Sequence, residues 1–125
     1  MPGVDAAMIT FGNKRIYLAC GHTDMRKSIN GLAAIVERSF RLDPFEAAMF
    51  VFCNRNRDRL KILEWDGDGF WLYFKRLERG RFRWPAADGS EITMNLTGEE
   101  FSHLLGSPKV VQKLMRKEVK IGVIV

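Results

Sequence analysis

The stretch Asn54-Arg55-Asn56-Arg57-Asp58, Arg59-Leu60-Lys61-Ile62-Leu63-Glu64-Trp65, Asp66-Gly67-Asp68-Gly69, Phe70-Trp71-Leu72-Tyr73-Phe74-Lys75-Arg76-Leu77 decides the fold. Two runs rich in β-formers flank a short turn. Asp-Gly pairs tolerate the positive φ angles that tight connections require, so these residues predict a hairpin. Upstream, Met49-Phe50-Val51-Phe52-Cys53 is another apolar run of strand length, joined to the hairpin by the polar loop 54–58. Downstream, Arg81-Phe82-Arg83-Trp84 predicts a strand closed by Pro85, and residues 91–96 predict another after the turn at Asp88-Gly89.

Helical patterns flank this core. Arg15-Ile16-Tyr17-Leu18-Ala19-Cys20 reads as a short strand ended by Gly21. Met25, Ile29, Leu32, Val36 and Phe40 then recur at three- and four-residue spacings, which predicts a helix capped by Thr23 or Asp24. Gly31 weakens it by up to about 1 kcal/mol relative to alanine, and Asp43-Pro44 stops it. Thr97-Gly98-Glu99-Glu100 opens a short helix through Leu105, with its acids at the positive end of the helix dipole. Pro108 starts a second, running to about residue 118, and the apolar end 119–125 suits a last strand or a dimer edge. The expected fold is α+β: an antiparallel β-meander of about four to five strands with an N-terminal helix and short C-terminal helices. It forms one domain over residues 1–125, with 1–13 a loose tail and 106–125 a C-terminal extension.

The 125 residues are 46% apolar and 28% charged, enough to bury roughly two thirds of the unfolded surface and unlike a disordered chain. No apolar run approaches the roughly 20 residues that span a bilayer. Asp5, Asn13, Lys14 and Arg15 interrupt any secretory leader. Cys20 and Cys53 have no CxxC partner, and His22 and His103 stand alone. These features predict a cytoplasmic protein with free thiols, no membrane contact, no metal and no cofactor.

The net charge of +5 is segregated along the chain. Residues 51–85 carry +4 and residues 108–125 another +4, whereas residues 86–107 carry −4. With a pI near 9.5, polyanions are the first partners to consider, because Lys and Arg contacts to phosphate gain from counterion release.

Tyr17-Leu18-Ala19-Cys20-Gly21, Thr23-Asp24-Met25-Arg26-Lys27 and Gly31-Leu32-Ala33 resemble the N-terminal signature of a bacterial mobile-element family. Asn54-Arg55, Asp58-Arg59-Leu60-Lys61, Trp65-Asp66-Gly67-Asp68-Gly69-Phe70, and Lys75-Arg76-Leu77-Glu78 through Arg83-Trp84-Pro85 resemble its second half. This is the family of small accessory proteins, often called TnpB, of the insertion sequence 66 class. The resemblance covers residues 16–105 and fades beyond. It implies a helper in DNA transposition, encoded beside a separate transposase that carries the strand-transfer chemistry, and it brings no catalytic residues with it.

Three constellations carry candidate chemistry. In the first, Arg55, Arg57 and Arg59 lie on one loop, and Lys75, Arg76, Arg79, Arg81 and Arg83 surround the next connection. Turns of a meander alternate between sheet ends, so loops 54–58 and 77–80 belong together, opposite the Asp-Gly turn. Arginine forks there can grip phosphate, and Trp84 can stack on an unpaired base. The competing reading makes Phe82 and Trp84 core residues and the arginines edge-strand gatekeepers. In the second, Glu64, Asp66 and Asp68 are oxygen ligands for Mg²⁺ in a nuclease, although turn chemistry alone accounts for both aspartates. In the third, Arg26 and Lys27 at a helix start assist phosphate binding by backbone N–H groups, or form an ordinary cap with a solvated face. The expected function is non-catalytic: an accessory protein of transposition that binds DNA or assists the transposase on it. DNA, that transposase and a second copy of the chain are the expected partners. The alternatives are a protein-interaction module without DNA contact and a Mg²⁺-dependent nuclease.

Overall fold

The computed structural model describes residues 14–89 and 91–105, so the tail 1–13, the helix expected from Pro108 and the apolar end 119–125 lie outside the described residues. In chain order the elements are β1 (Arg15–Ala19), α1 (Ile29–Arg38), β2 (Ala48–Cys53), β3 (Arg59–Trp65), β4 (Phe70–Arg76), β5 (Thr93–Leu96) and α2 (Gly98–Leu105). The strands form one sheet in the order β4-β3-β2-β1-β5.

The expected hairpin is β3–β4, paired antiparallel from Arg59↔Arg76 to Trp65↔Phe70. Its turn is closed by Asp66: the backbone N–H bonds the Gly69 carbonyl at 3.1 Å, and Oδ1 accepts from the Gly69 N–H at 3.2 Å. Gly67 takes φ 110°, a conformation that only glycine adopts without strain.

The fold is α+β, but the meander needs correcting: the sheet is mixed. β1 pairs with β2 in parallel, Arg15↔Ala48 through Leu18↔Val51, and pairs antiparallel with β5, Ile16↔Leu96 through Ala19↔Thr93. Two parallel neighbours need a long crossover, and α1 supplies it. That helix is therefore an internal connection, and no N-terminal helix precedes the sheet among the described residues. It also begins later than the apolar spacing predicts. Asp24 Oδ1 accepts from the Arg26 N–H at 2.9 Å, and Lys61 Nζ donates to the carbonyls of Met25 and Lys27, both at 2.8 Å. Residues 24–27 thus form a turn, and Ser28 rather than Thr23 or Asp24 is the N-cap.

Residues 81–84 are a second correction, since they form no strand. The backbone here bonds to loops: the Phe82 N–H to the Arg57 carbonyl at 2.7 Å and, just beyond the segment, the Pro85 carbonyl to the Gly21 N–H at 2.9 Å. This segment crosses one face of the sheet.

Both faces are covered, as the all-buried β2 requires. On one face Tyr17, Ala19, Phe50, Phe52 and Leu63 meet Leu32 and Val36 of α1, with Met25, Ile29 and Phe40 packed around them. The five spaced positions of the sequence therefore do share one apolar face. On the other, Ile16, Leu18, Met49, Val51, Leu60 and Ile62 meet Phe82 and Phe101. α2 starts where expected and is held by a reciprocal cap, with Thr97 Oγ1 accepting from the Glu100 N–H at 3.1 Å and Glu100 Oε1 from the Thr97 N–H at 2.9 Å. No helix among the described residues is long and apolar enough to cross a membrane.

Candidate nucleic-acid interface

Strand directions gather the basic side chains. β1 and β2 finish, and β3 and β5 begin, at the same end of the sheet, where β4 also finishes. Residues 21–24, 54–58 and 77–81 all emerge there. The Thr23 N–H bonds the Cys53 carbonyl at 2.8 Å, and the Leu77 N–H bonds the Asp58 carbonyl at 2.7 Å. Arg55, Arg57, Arg59, Arg76, Arg79 and Arg81 therefore share one end, opposite Asp66 and Asp68.

Asn54 shapes the central loop. Its Oδ1 accepts the N–H groups of Asp58 at 3.0 Å and Arg59 at 2.9 Å, and its Nδ2 donates to Asp58 Oδ1 at 2.7 Å. The Asp58 carboxylate is thereby engaged inside the loop. Arg55 meets His22 Nε2 at 3.3 Å. Arg57 sits at φ 61°, left-handed backbone that costs a non-glycine residue about 1 kcal/mol. Arg59 and Arg76 are cross-strand partners, and like charges directly opposite are destabilising. Glu78 relieves Arg76 at 2.8 Å, whereas Arg55, Arg57, Arg59, Arg79, Arg81 and Arg83 have no ion pair among the described residues.

The other expected site residues are placed differently. Lys75 pairs with Leu60 and so points to the opposite face from Arg59 and Arg76. Arg83 is exposed between Phe82, at 1% exposure in the core, and Trp84. Trp84 packs partly buried against that core and donates its indole N–H to the Ala19 carbonyl at 2.9 Å. Arg26 and Lys27 lie in the turn before α1 and not at its start, which corrects the helix-start reading. Arg26 grips Asp24 with Nε at 3.0 Å and Nη2 at 2.7 Å, and these bonds hold the Asp24 carboxyl well below the usual carboxylate range.

Sequence reasoning missed Lys61 as a site residue. It occupies the same face of the hairpin as Arg59, one pleat along, and its ammonium is fixed by two carbonyls. A trough on this face is lined by Asp24, Met25, Arg26, Arg59, Lys61 and Phe74. The period-two spacing of Arg59 and Lys61 was the available signal.

The profile of the IS66 Orf2-like proteins matches residues 14–114, which takes in the whole sheet and this basic end. The chain belongs to the IS66 Orf2-like family. Family membership assigns it an accessory role in insertion-sequence transposition. It is 42% identical to the uncharacterized protein y4hO of Sinorhizobium fredii over 93 residues, 74% of this chain and 79% of that protein. It is 35% identical to the uncharacterized protein y4jC of the same organism over 112 residues, 86% of this chain and 93% of that protein. No solved structure matches.

In this IS66 Orf2-like chain the three acids of the Mg²⁺ reading have other work. Glu64 is 1% exposed, accepts from the Tyr73 hydroxyl at 2.8 Å and pairs with Lys14. Asp66 accepts from the Trp71 indole N–H, which lowers its pKa, while the hydrogen bond to Asp66 raises that of Asp68. No group of three His, Cys, Asp or Glu among the described residues is placed to hold a metal ion. Both cysteines are free thiols; burial pushes the Cys53 thiol up to about 12.

Proposed function

We propose that this IS66 Orf2-like chain serves transposition as a DNA-binding accessory protein without chemistry of its own, and that the arginine end of the sheet is its DNA contact. One observation carries the reading. Arg55, Arg57 and Arg59 converge with Arg79 and Arg81 on one end without an ion pair among the described residues, and Arg59 opposes Arg76 across the hairpin at a cost to the fold that Glu78 offsets only on the Arg76 side. Phosphate is the counter-charge that turns this cost into binding, because each neutralised phosphate releases condensed counterions. The other arginines of the set act with these; Lys75, on the far face, and Trp84, seated on the core, contribute less.

The protein partner we propose is the transposase of the same element, which carries the strand-transfer step. Binding of the purified protein to labelled duplex across a salt series tests the DNA contact. Affinity should fall steeply with salt, with a slope of about −0.9 per phosphate neutralised. No binding at low salt would contradict the reading and favour a surface that meets only protein. Co-purification with the transposase after nuclease treatment checks the partner.

A further inference from the structure

We infer that Phe74 is a stacking platform for an unpaired base, so that the trough beside it takes single-stranded DNA; this rests on the DNA-binding reading above and adds strandedness to it. Phe74 is 56% exposed on β4, an edge strand of the sheet. Among the described residues it has no aromatic partner, whereas Phe45, exposed to a similar 54%, lies against the rings of Trp65 and Phe70. A single exposed phenylalanine is ordinary on a protein surface. What sets Phe74 apart is the basic side chains on its own face of the hairpin. The cross-strand partner of Phe74 is Lys61, and the next pair on the same face is Arg59 and Arg76. Arg26 enters the same trough from the turn before α1.

An aromatic face with cations beside it and along one side matches one nucleotide unit: the ring takes the base, and Arg59 and Arg76 take a flanking phosphate. A duplex fits this arrangement poorly, because the faces of its bases are already covered by their neighbours in the stack, and at a base edge phenylalanine meets at most a thymine methyl. An acidic protein segment would satisfy the cations and leave the ring idle. Lys61 is held by the carbonyls of Met25 and Lys27, which fixes one charge beside the ring before any ligand arrives. Asp24 faces the trough as well, but its carboxylate is engaged by Arg26.

Binding of fluorescent single-stranded and duplex oligonucleotides of one sequence, and of a single strand of abasic residues, tests this with wild type, Phe74→Ala, Phe74→Leu and Phe74→Trp. Phe74→Ala should weaken single-strand binding by roughly 5- to 100-fold, the worth of one base stack. Duplex and abasic-strand binding should change less than about twofold. Phe74→Leu keeps apolar bulk without a π face and should behave as the alanine variant, while Phe74→Trp restores affinity and its emission is quenched on binding. Equal losses on all three nucleic acids, or full affinity in Phe74→Ala, would overturn the platform while leaving the DNA-binding reading intact. Wild-type protein that binds none of them at low salt would overturn both.

Discussion

The two ends of the sheet solve the same problem, turning a strand back on itself, in opposite ways. At the Asp-Gly end the demanding backbone position holds glycine, Gly67 at φ 110°, and the Asp66 side chain is used up by the Gly69 N–H and the Trp71 indole. Phe45, Trp65 and Phe70 pack there with ring centroids 4.9 to 5.4 Å apart. At the arginine end the left-handed position of loop 54–58 holds Arg57, and Arg59 faces Arg76 across the hairpin. The Asp-Gly end puts glycine where the backbone demands it and engages its turn carboxylate, leaving only the close approach of Asp66 and Asp68 unrelieved. The other keeps charges that raise its energy, and this asymmetry is what singles out the arginine end as the place where a partner is expected.

The comparison is sharpened first by removing a group that serves only the fold. Glu64→Ala removes the buried carboxylate that pairs with Lys14 and accepts from the Tyr73 hydroxyl, so it should cost about 3 kcal/mol in urea unfolding. The salt slope of DNA binding by the remaining folded protein should not change. At the arginine end itself, Gly21→Ala forces a side chain onto φ 79° and brings its Cβ to 2.9 Å from the Ala87 Cβ. About 2 kcal/mol of stability should be lost. Arg57→Gly should do the reverse, raising stability by up to about 1 kcal/mol while weakening DNA binding. A variant that loses stability would show that the left-handed arginine is supported by contacts of its own. The smallest effect is that of Arg59→Thr, which removes one of two opposed charges from the hairpin. It should gain about 0.5 kcal/mol in unfolding and reduce the salt slope by roughly one phosphate. Acid sensitivity probes the Asp-Gly turn as well. The Asp66 pKa is lowered in the folded state, so its contribution is present above the ordinary carboxylate range and is lost as pH falls through the folded value; Asp66→Asn should flatten that part of the acid unfolding curve.

What could be read in the sequence was local. The hairpin was legible because its turn residues dictate the backbone, and α2 because Thr97 and Glu100 stand at cap spacing. The parallel pairing of β1 with β2 was not, since nothing in Arg15–Ala19 states which neighbour it takes, and only the length of the connection hints at a crossover. Residues 81–84 alternate like an edge strand, yet the Phe82 N–H goes to the Arg57 carbonyl and the Pro85 carbonyl just beyond them to the Gly21 N–H. The arginine end was predictable even with the wrong topology, because β2, β3 and β4 do form a meander. Phe74 stayed hidden because Phe70-Trp71-Leu72-Tyr73-Phe74 is apolar on both faces, so alternation could not say which ring would be left uncovered. The turn at Asp24 was masked by an apolar spacing that runs on through it, and only the tie to Lys61 shows why the helix waits until Ile29.

The most direct test of the account is a salt series of DNA binding by wild type and by the Arg55→Ala, Arg57→Ala, Arg59→Ala triple variant, each with its urea unfolding curve. The account predicts a slope smaller by roughly two to three phosphates, with stability equal to or above that of the wild type. An unchanged slope in a folded triple variant would contradict it, and the charges at this end of the sheet would then belong to something other than DNA.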